Sequence, residues 1–348
     1  MPRLDLETPD MDAAAVAASP SRRVRFPAPH IPQLSPKARL VLVAALVVVA
    51  AACYLFLFIR GSFAFSIDRR LTMLGAMTIA AFTQGLGTVV FHTVTNNRIL
   101  TPAVMGFDSL YTLMQTLMVF FFGGAALAQT EGIPKLLTQT ALMVVFATIL
   151  YRWLFSGRFG SLFVLLLVGV VFGMAFESLS TFVQRLLDPT DYDLLATRLF
   201  GRMSNVEAGY LPIAAAICVV VGVLLWRRRH RLDTLLLGRE TATNLGVSYT
   251  RELTTMLVVI ALLVALSTAL VGPMTFFGFI VAILSYQFAG THRHAYVLPM
   301  AFLLGMLTLV AGQFLLQHVV GSSGMLSVVI EFVGGILFIA LLLRKGKL

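Results

Sequence analysis

Three carboxylates, Asp108, Glu177 and Glu331, stand within long apolar runs of the sequence. An ionisable group in lipid is costly and often functional, so one chemistry to consider is a proton relay between such groups. Each of the three lies within roughly two helical turns of the end of its run, and no two are adjacent in sequence. We therefore favour helix-end or subunit-contact roles. An ion- or proton-driven secondary transporter that uses Glu177 and Glu331 is the alternative.

The sequence shows no pattern for covalent or metal chemistry. It has no G-x-x-x-x-G-K-[ST] phosphate loop and no H-E-x-x-H pair. The histidines are dispersed and the two cysteines are typical of apolar packing residues. We expect no enzyme activity, no cofactor and no metal site, so any ATP hydrolysis must reside in a partner chain. The residues concerned are His30, His92, His230, His292, His294, His318, Cys53 and Cys218.

The composition indicates a polytopic membrane protein. Of the 348 residues, 58% are hydrophobic and 12% are charged, and the mean hydropathy is +0.90. A soluble domain carries about 25% charged residues, so this chain has too little polar surface to remain in water. The net charge of +10 does not indicate a nucleic-acid partner, because the basic residues lie in short loops between apolar runs. Membrane lipid is therefore the expected surrounding.

Ten apolar segments predict an all-α fold with ten transmembrane helices within residues 39–348. About 20 helical residues at ~1.5 Å per residue match a hydrocarbon core of about 30 Å. The eighth segment is short and follows the helix break at Gly272-Pro273. Residues 1–38 are rich in proline and mixed charge, which predicts a disordered tail. The segments are Leu40–Ile59, Leu71–Val94, Pro102–Phe122, Leu136–Phe155, Ser161–Val183, Ala208–Trp226, Glu252–Val271, Phe276–Ala289, Ala295–Leu316 and Met325–Leu343.

The distribution of basic residues predicts the orientation. Ten spans place both termini on one side of the membrane. If that side is the cytoplasm, most of the 26 lysines and arginines fall in cytoplasmic segments, as the positive-inside rule requires. Arg227–Thr250, the most charged interruption of the apolar sequence, is then cytoplasmic, and its first five residues, Arg227–Arg231, anchor the topology.

Two further patterns concern packing and turns. The loop Thr95–Gly106, TNNRILTPAVMG, predicts a tight cytoplasmic turn with an asparagine capping the next helix. The Gly169-x-x-x-Gly173 spacing is typical of a close helix contact.

Three patches resemble the permease family of iron-siderophore and cobalamin ABC importers, and the resemblance covers roughly residues 40–348. Thr95–Tyr111 is similar to the family's R-N-P-L-A-x-P-x-x-x-G loop, in a version that resembles the branch serving catecholate-type and related siderophores. Leu237–Val247, LGRETATNLGV, is similar to its L-G-x-x-x-A-x-x-L-G cytoplasmic segment. Val271–Gly290 is similar to its G-P-x-x-F-x-G-L segment. The family's following P-H-x-x-R is absent, and Ala282–Gln287 stand in its place.

The resemblance implies a type II ABC importer permease in the bacterial cytoplasmic (inner) membrane. The permease works as a dimer with itself or with a second permease chain. Two ABC ATPase subunits bind it on the cytoplasmic side, and a periplasmic or lipoprotein substrate-binding protein docks on the other. The expected cargo is an iron-siderophore complex; cobalamin or haem is the alternative within the family.

The resemblance also assigns roles to particular residues. ATPase coupling falls to the segment within 227–250 that contains Gly238, Ala242, Leu245 and Gly246. Binding-protein docking falls to Arg69 and Arg70, of which Arg70 aligns better with the family's arginine. Candidate residues lining the transport pathway are Thr83, Gln84 and Tyr111.

Overall fold

The computed structural model describes residues 34–59, 62–129, 132–155, 162–199, 206–319 and 326–345, and every regular element within these ranges is helical. The predicted tail therefore lies largely outside the described residues. Two 3-10 turns, Pro102–Met105 and Ala208–Tyr210, supplement the α-helices. The α-helices are α1 (Pro36–Phe56), α2 (Phe63–Thr95), α3 (Phe107–Gln129), α4 (Ile133–Phe155), α5 (Leu162–Gln184), α6 (Pro189–Leu199), α7 (Leu211–Leu235), α8 (Arg239–Asn244), α9 (Tyr249–Val271), α10 (Phe277–Ala289), α11 (His294–His318) and α12 (Leu326–Lys345).

The ten predicted spans correspond to ten of these helices, and α6 and α8 are additional short helices between spans. Six helices are long and apolar enough to cross a membrane by length and composition, and three shorter apolar helices accompany them within the described ranges. The six are Pro36–Phe56, Phe63–Thr95, Leu166–Gln184, Ala208–Leu235, Tyr249–Val271 and His294–His318; the shorter ones are Ile133–Ile149, Phe277–Ala289 and Leu326–Ala340.

The helix α1 begins three residues inside the segment predicted as tail. Pro36 occupies its first turn, where a missing backbone N–H costs nothing. The Ser35 hydroxyl accepts a hydrogen bond from the backbone N–H of Ala38 at 3.3 Å. A serine cap followed by proline is a typical helix start, so the first helix begins at Pro36.

The helices α2 and α9 form the centre of the bundle. In the most apolar 18 residues of each helix, 78% of α2 and 72% of α9 are buried. The corresponding value for α1 is 11%, so α1 lies at the periphery. Small residues allow the neighbouring helices to approach α2 closely. A methyl group added at Gly85 would lie 3.2 Å from the carbonyl oxygen of Ala301 on α11. A methyl group added at Gly305 on α11 would likewise lie 3.1 Å from the Cβ of Ala81, so both glycines are helix-packing positions.

The third span begins later than the sequence predicts. Asn96 adopts a left-handed conformation with φ 49° and ends α2, so the asparagine terminates one helix rather than capping the next. Pro102 then opens a 3-10 turn, which Gly106 terminates with φ 80°. The helix α3 starts at Phe107 instead of Pro102, because the positive φ of Gly106 interrupts the helical backbone.

The 3-10 turn packs against α5 at the two glycines of the Gly169-x-x-x-Gly173 pattern. A methyl group at Gly169 would lie 3.0 Å from the Cα of Met105, and one at Gly173 would lie 3.2 Å from the Cα of Gly106. The close contact that the spacing predicts is therefore between α5 and the 3-10 turn, rather than between two long helices.

One end of the bundle, which we call the basic end, gathers Arg98, Arg228 and Arg231. There the start of α1 reaches the end of α10, since Arg39 donates to the Phe288 carbonyl at 3.4 Å. The end of α2, the end of α7, the start of α9 and the start of α11 meet at the same end. Segments predicted to lie on one side of the membrane are thus together in space.

Candidate functional site

The segment Leu237–Val247 contains α8 and two glycines with positive φ. Gly238 precedes α8 with φ 88° and ψ 170°, a conformation that is essentially restricted to glycine. Gly246 follows α8 with φ 82°. The N–H of Gly246 donates to the Thr243 carbonyl at 2.9 Å, and the N–H of Val247 donates to Ala242 at 3.0 Å. These two bonds form a Schellman motif, which ends α8 sharply.

The four residues assigned to coupling lie together but face different directions. Ala242 is fully buried, so it anchors α8 on the bundle. Leu245 and Leu237 have 62% and 57% of their surface exposed at the two ends of α8. Two exposed leucines therefore flank α8 at the basic end.

The helix α7 continues through the basic run, so Arg227–Leu235 is helical rather than part of a loop. Arginine and leucine are good helix formers, and no glycine or proline lies between Arg227 and Gly238. The half-buried Arg229 guanidinium stacks over the Trp226 ring, 4.7 Å from its centre. The predicted coupling loop 227–250 therefore consists of the end of α7, α8 and the first residues of α9.

A buried carboxylate, Glu252, joins α7 to α9 beside α8. It is 4% exposed and lies in the first turn of α9. Arg228 donates to both of its oxygens at 3.0 Å, and Arg231 donates to one of them at 3.3 Å. A buried charge requires such partners. The sequence analysis interpreted these arginines as topology anchors. The signal for the ion pair was a single glutamate at the start of an apolar run, shortly after the basic run.

A second polar contact at the basic end joins three helices. His294 Nδ1 lies 2.6 Å from Asp233 Oδ1, and the His294 backbone N–H donates to the same oxygen at 2.8 Å. His294 Nε2 lies 2.7 Å from the hydroxyl of Thr93. Burial alone raises the pKa of Asp233, but the hydrogen bonds and the charge of His294 outweigh burial and hold that pKa below its usual range. The sequence analysis did not single out Asp233.

The loop Thr95–Gly106 is attached through Arg98 to α10 and to the connection between α10 and α11. The Arg98 guanidinium lies 4.4 Å from the centre of the Tyr286 ring, and its Nη2 lies 3.2 Å from His292 Nδ1. Tyr286 belongs to the segment Ala282–Gln287 that replaces the family's usual P-H-x-x-R. An arginine from the loop thus meets an aromatic ring at a position where this chain departs from the family pattern.

At the opposite end, the two docking arginines have different surroundings. Arg70 Nη1 donates to the carbonyls of Tyr54 and Leu57, each at 2.7 Å. It also reaches Leu55 at 3.1 Å, so its guanidinium caps the end of α1. Arg69 is exposed. Docking by Arg69 is compatible with this arrangement, whereas Arg70 is already engaged within the chain.

The three candidate pathway residues are buried in the described bundle. Thr83 donates to the Ile79 carbonyl of its own helix at 2.8 Å. Gln84 donates to the Ser267 hydroxyl on α9 at 3.2 Å. Tyr111 is 5% exposed. The surroundings of Thr83 and Gln84 are helix contacts within one chain, and their role in a pathway stays a prediction.

The intramembrane carboxylates lie in different settings. Asp108 accepts a hydrogen bond from the Thr275 hydroxyl at 3.0 Å, and Glu177 is exposed on α5. Glu331 lines a cavity of about 280 Å³ between α6, α12 and Pro273. Within the described residues, no group of three or more histidines, cysteines or acidic residues is placed to hold a metal ion.

Together, these helices define a polytopic α-helical membrane protein with the fold of a type II ABC importer permease. The fold is similar to a solved inward-facing metal-chelate type ABC transporter, with a TM-score of 0.76 and 20% sequence identity, over 89% of this chain and 100% of the other. The sequence matches the FecCD transport family over residues 40–344, so the chain belongs to that family.

Among curated relatives, the chain is 45% identical to the petrobactin import system permease protein FatC of Bacillus anthracis over 282 residues, which cover 81% of this chain and 80% of FatC. It is 40% identical to the petrobactin import system permease protein YclO of Bacillus subtilis over 88% of this chain and 98% of YclO. FatD, a second petrobactin permease of Bacillus anthracis, is 24% identical over 78% of this chain and 79% of FatD.

Proposed function

We propose that this chain is the permease subunit of an ABC importer that carries an iron-siderophore complex of the petrobactin class across the bacterial cytoplasmic membrane. Both termini and the basic end face the cytoplasm. The observation that carries the proposal is α8, a short helix at the basic end that lies between two positive-φ glycines and is flanked by the exposed Leu237 and Leu245. The sequence contains no phosphate loop of its own, and the similarity to FatC and YclO supports the cargo class.

ATP hydrolysis resides in a partner ATPase that docks on α8 through Leu237 and Leu245. Closure of the ATPases displaces α8. Ala242 transmits this displacement to the bundle, because its side chain is fully buried there. The Glu252 contacts carry the motion to α7 and α9 together. This chain performs no covalent chemistry; its helices alternate the access of the pathway between the two sides.

The permease pairs with a second, different permease chain. In Bacillus anthracis two proteins, FatC and FatD, both bear the name of petrobactin import permeases, and this chain is far more similar to FatC. A FatD-like chain is therefore the expected partner. On the outer side, the exposed Arg69 pairs with carboxylates of a substrate-binding lipoprotein, and such rim charges mainly set the association rate and register.

The test is import into proteoliposomes that contain this chain, a FatD-like permease and the cognate ATPase. Ferric petrobactin, labelled with radioactive iron and loaded on its binding protein, should enter only when ATP is hydrolysed. A hydrolysis-dead ATPase is the matched control and should abolish import. Import that persists with that ATPase, or that follows a proton gradient instead, would overturn the proposal in favour of a secondary transporter using Glu177 and Glu331.

A further inference from the structure

A cavity with a basic lining opens at the basic end, beside the coupling segment. Its volume is about 360 Å³, within the range of small-molecule sites. It lies between the end of α7, the turn that follows α8 and the start of α9. Its lining residues are Arg228, Arg231, Gly246, Val247, Ser248, Arg251 and Glu252.

The cavity carries a net positive charge. Three guanidinium groups face one carboxylate, and that carboxylate, Glu252, already holds Arg228 and Arg231 in place by hydrogen bonds. The guanidinium groups are thus pre-organised, and the side chain of Arg231 remains 60% exposed. Arg251 is exposed at the same opening. Arginine presents planar donor pairs that match phosphate oxygens, so the lining favours a phosphate group.

The backbone adds to this preference. The cavity adjoins the N-terminus of α9, a helix of 23 residues, and the Ser248 side chain makes no capping hydrogen bond there. The first N–H groups of a helix have no partner within it and carry a partial positive charge. A phosphate in the cavity would therefore meet both guanidinium and backbone donors.

The position of the cavity indicates a membrane source for the phosphate. Leu225, one turn before Arg228, and Leu253, directly after Glu252, are buried where the apolar stretches of α7 and α9 meet the basic end. Trp226, 47% exposed and stacked on Arg229, stands at the same level. Tryptophan and arginine are enriched where a span enters the headgroup region, so the cavity opens at headgroup depth.

We propose that this cavity binds the phosphate of an anionic phospholipid from the leaflet at the basic end. The bound headgroup fills the space between α7 and α9 behind α8. It stabilises the arrangement in which Arg228 and Arg231 hold Glu252. Because the same residues connect α8 to the spans, the lipid composition of that leaflet regulates the coupling between ATPase and permease. Binding of the phosphate requires neither the cargo nor the ATPase, whereas its effect on coupling rests on the proposed function of α8.

The test uses the fluorescence of Trp226 in full-length protein. Trp153→Phe leaves Trp226 as the single tryptophan, since the sequence has two. The protein is reconstituted in phosphatidylcholine vesicles that contain increasing fractions of dibrominated phosphatidylglycerol, and a parallel series uses dibrominated phosphatidylcholine. Brominated chains quench a nearby tryptophan. We expect phosphatidylglycerol to quench at a mole fraction roughly tenfold lower than phosphatidylcholine, because several basic residues attract its phosphate.

The decisive comparison is between two double variants with the same loss of charge. Arg231→Gln with Arg251→Gln removes two cavity guanidinium groups and should abolish the preference for the anionic lipid. Arg227→Gln with Arg293→Gln removes two exposed charges of the basic end outside the cavity and should retain it. Equal quenching by the two lipids in the parent protein, or equal loss of preference in both double variants, would overturn the proposal.

Two further arms identify other occupants. Inorganic phosphate, compared with chloride at equal ionic strength, should leave the quenching unchanged; relief by millimolar phosphate would assign the cavity to a soluble anion and overturn the lipid proposal. The cognate ATPase, added without nucleotide, should bind both double variants equally. Loss of ATPase binding in the Arg231/Arg251 variant, without any lipid preference in the parent, would assign the cavity to the partner protein.

Discussion

The same carboxylate oxygen of Asp233 accepts hydrogen bonds from the ring and the backbone of His294, at 2.6 Å and 2.8 Å. His294 is the first residue of α11, and Arg293 before it provides no side-chain cap. Asp233, from the end of α7, therefore supplies the negative charge that the N-terminus of α11 favours. With Thr93 on the other ring nitrogen, the contact fixes the ends of α2, α7 and α11 relative to one another.

Asp233→Asn should destabilise the permease, because an amide cannot replace the charge at the N-terminus of α11. Hydrogen bonds to charged groups contribute about 1.5–3 kcal/mol each, which sets the expected loss of unfolding free energy. The folded-state pKa of Asp233 is depressed. Its contribution is therefore complete above the ordinary pKa of about 3.9 and is lost as the pH falls through the lower, folded value. Thermal unfolding in detergent at several pH values measures both effects.

The control for this substitution is Asp193→Asn, which neutralises an exposed carboxylate on α6. It should leave the melting temperature nearly unchanged. The difference between parent and Asp233→Asn should be present at pH 7 and shrink below about pH 4. A difference that is already absent at pH 7 would contradict the role assigned to Asp233.

Substitutions of Arg69 and Arg70 should affect different properties, although the family resemblance assigns both arginines to docking of the binding protein. Arg70→Gln should lower the melting temperature, because the carbonyls at the end of α1 lose a charged donor worth about 1.5–3 kcal/mol. Arg69→Gln should leave stability unchanged and slow the association of the binding protein. This slowing should be larger at low ionic strength, since rim charges act mainly on the encounter. Thermal unfolding and surface plasmon resonance measure the two effects.

The opposite result would assign docking to Arg70. If Arg70→Gln slowed association as much as Arg69→Gln did while retaining full stability, the cap on α1 would be energetically unimportant. Arg70 would then be the docking residue, as its alignment with the family suggests.

The spans could be predicted from the sequence because backbone polar groups in lipid must be satisfied within the helix, which requires long apolar runs. The predicted start of α3 at Pro102 was wrong. Proline is common at a helix start, and hydropathy gives no indication of the positive φ at Gly106 that delays the helix to Phe107. Contacts such as Arg228 with Glu252 depend on the rotation of each helix about its axis, and local sequence does not determine that rotation.

Gly238 and Gly246 should respond differently to asparagine. Gly246 lies at the residue after the C-cap of α8, where asparagine is tolerated in place of glycine, so Gly246→Asn should retain coupled transport. Gly238 has φ 88° and ψ 170°, a region that is essentially restricted to glycine, so Gly238→Asn should displace α8. The measurement is the ratio of ATP hydrolysed to siderophore imported in proteoliposomes.

For Gly238→Asn, we expect this ratio to rise severalfold while the amount of membrane-inserted permease stays constant. Gly246→Trp adds bulk beside the ATPase contact and should also uncouple hydrolysis from import. If both Gly238→Asn and Gly246→Trp showed the parental ratio, the assignment of α8 to coupling would be refuted.

Gly169→Ala tests whether the 3-10 turn Pro102–Met105 must lie directly against α5. The added methyl group would stand 3.0 Å from the Cα of Met105, a backbone atom that cannot rotate away. Overpacking of this kind costs about 1–3 kcal/mol, so the melting temperature should fall and ATP-driven import should decrease. Gly209→Ala is the matched control, because its methyl group would enter open space. Equal melting temperatures for the two variants would mean that the turn moves freely over α5, and the loop Thr95–Gly106 would then have no fixed position for Arg98 to maintain.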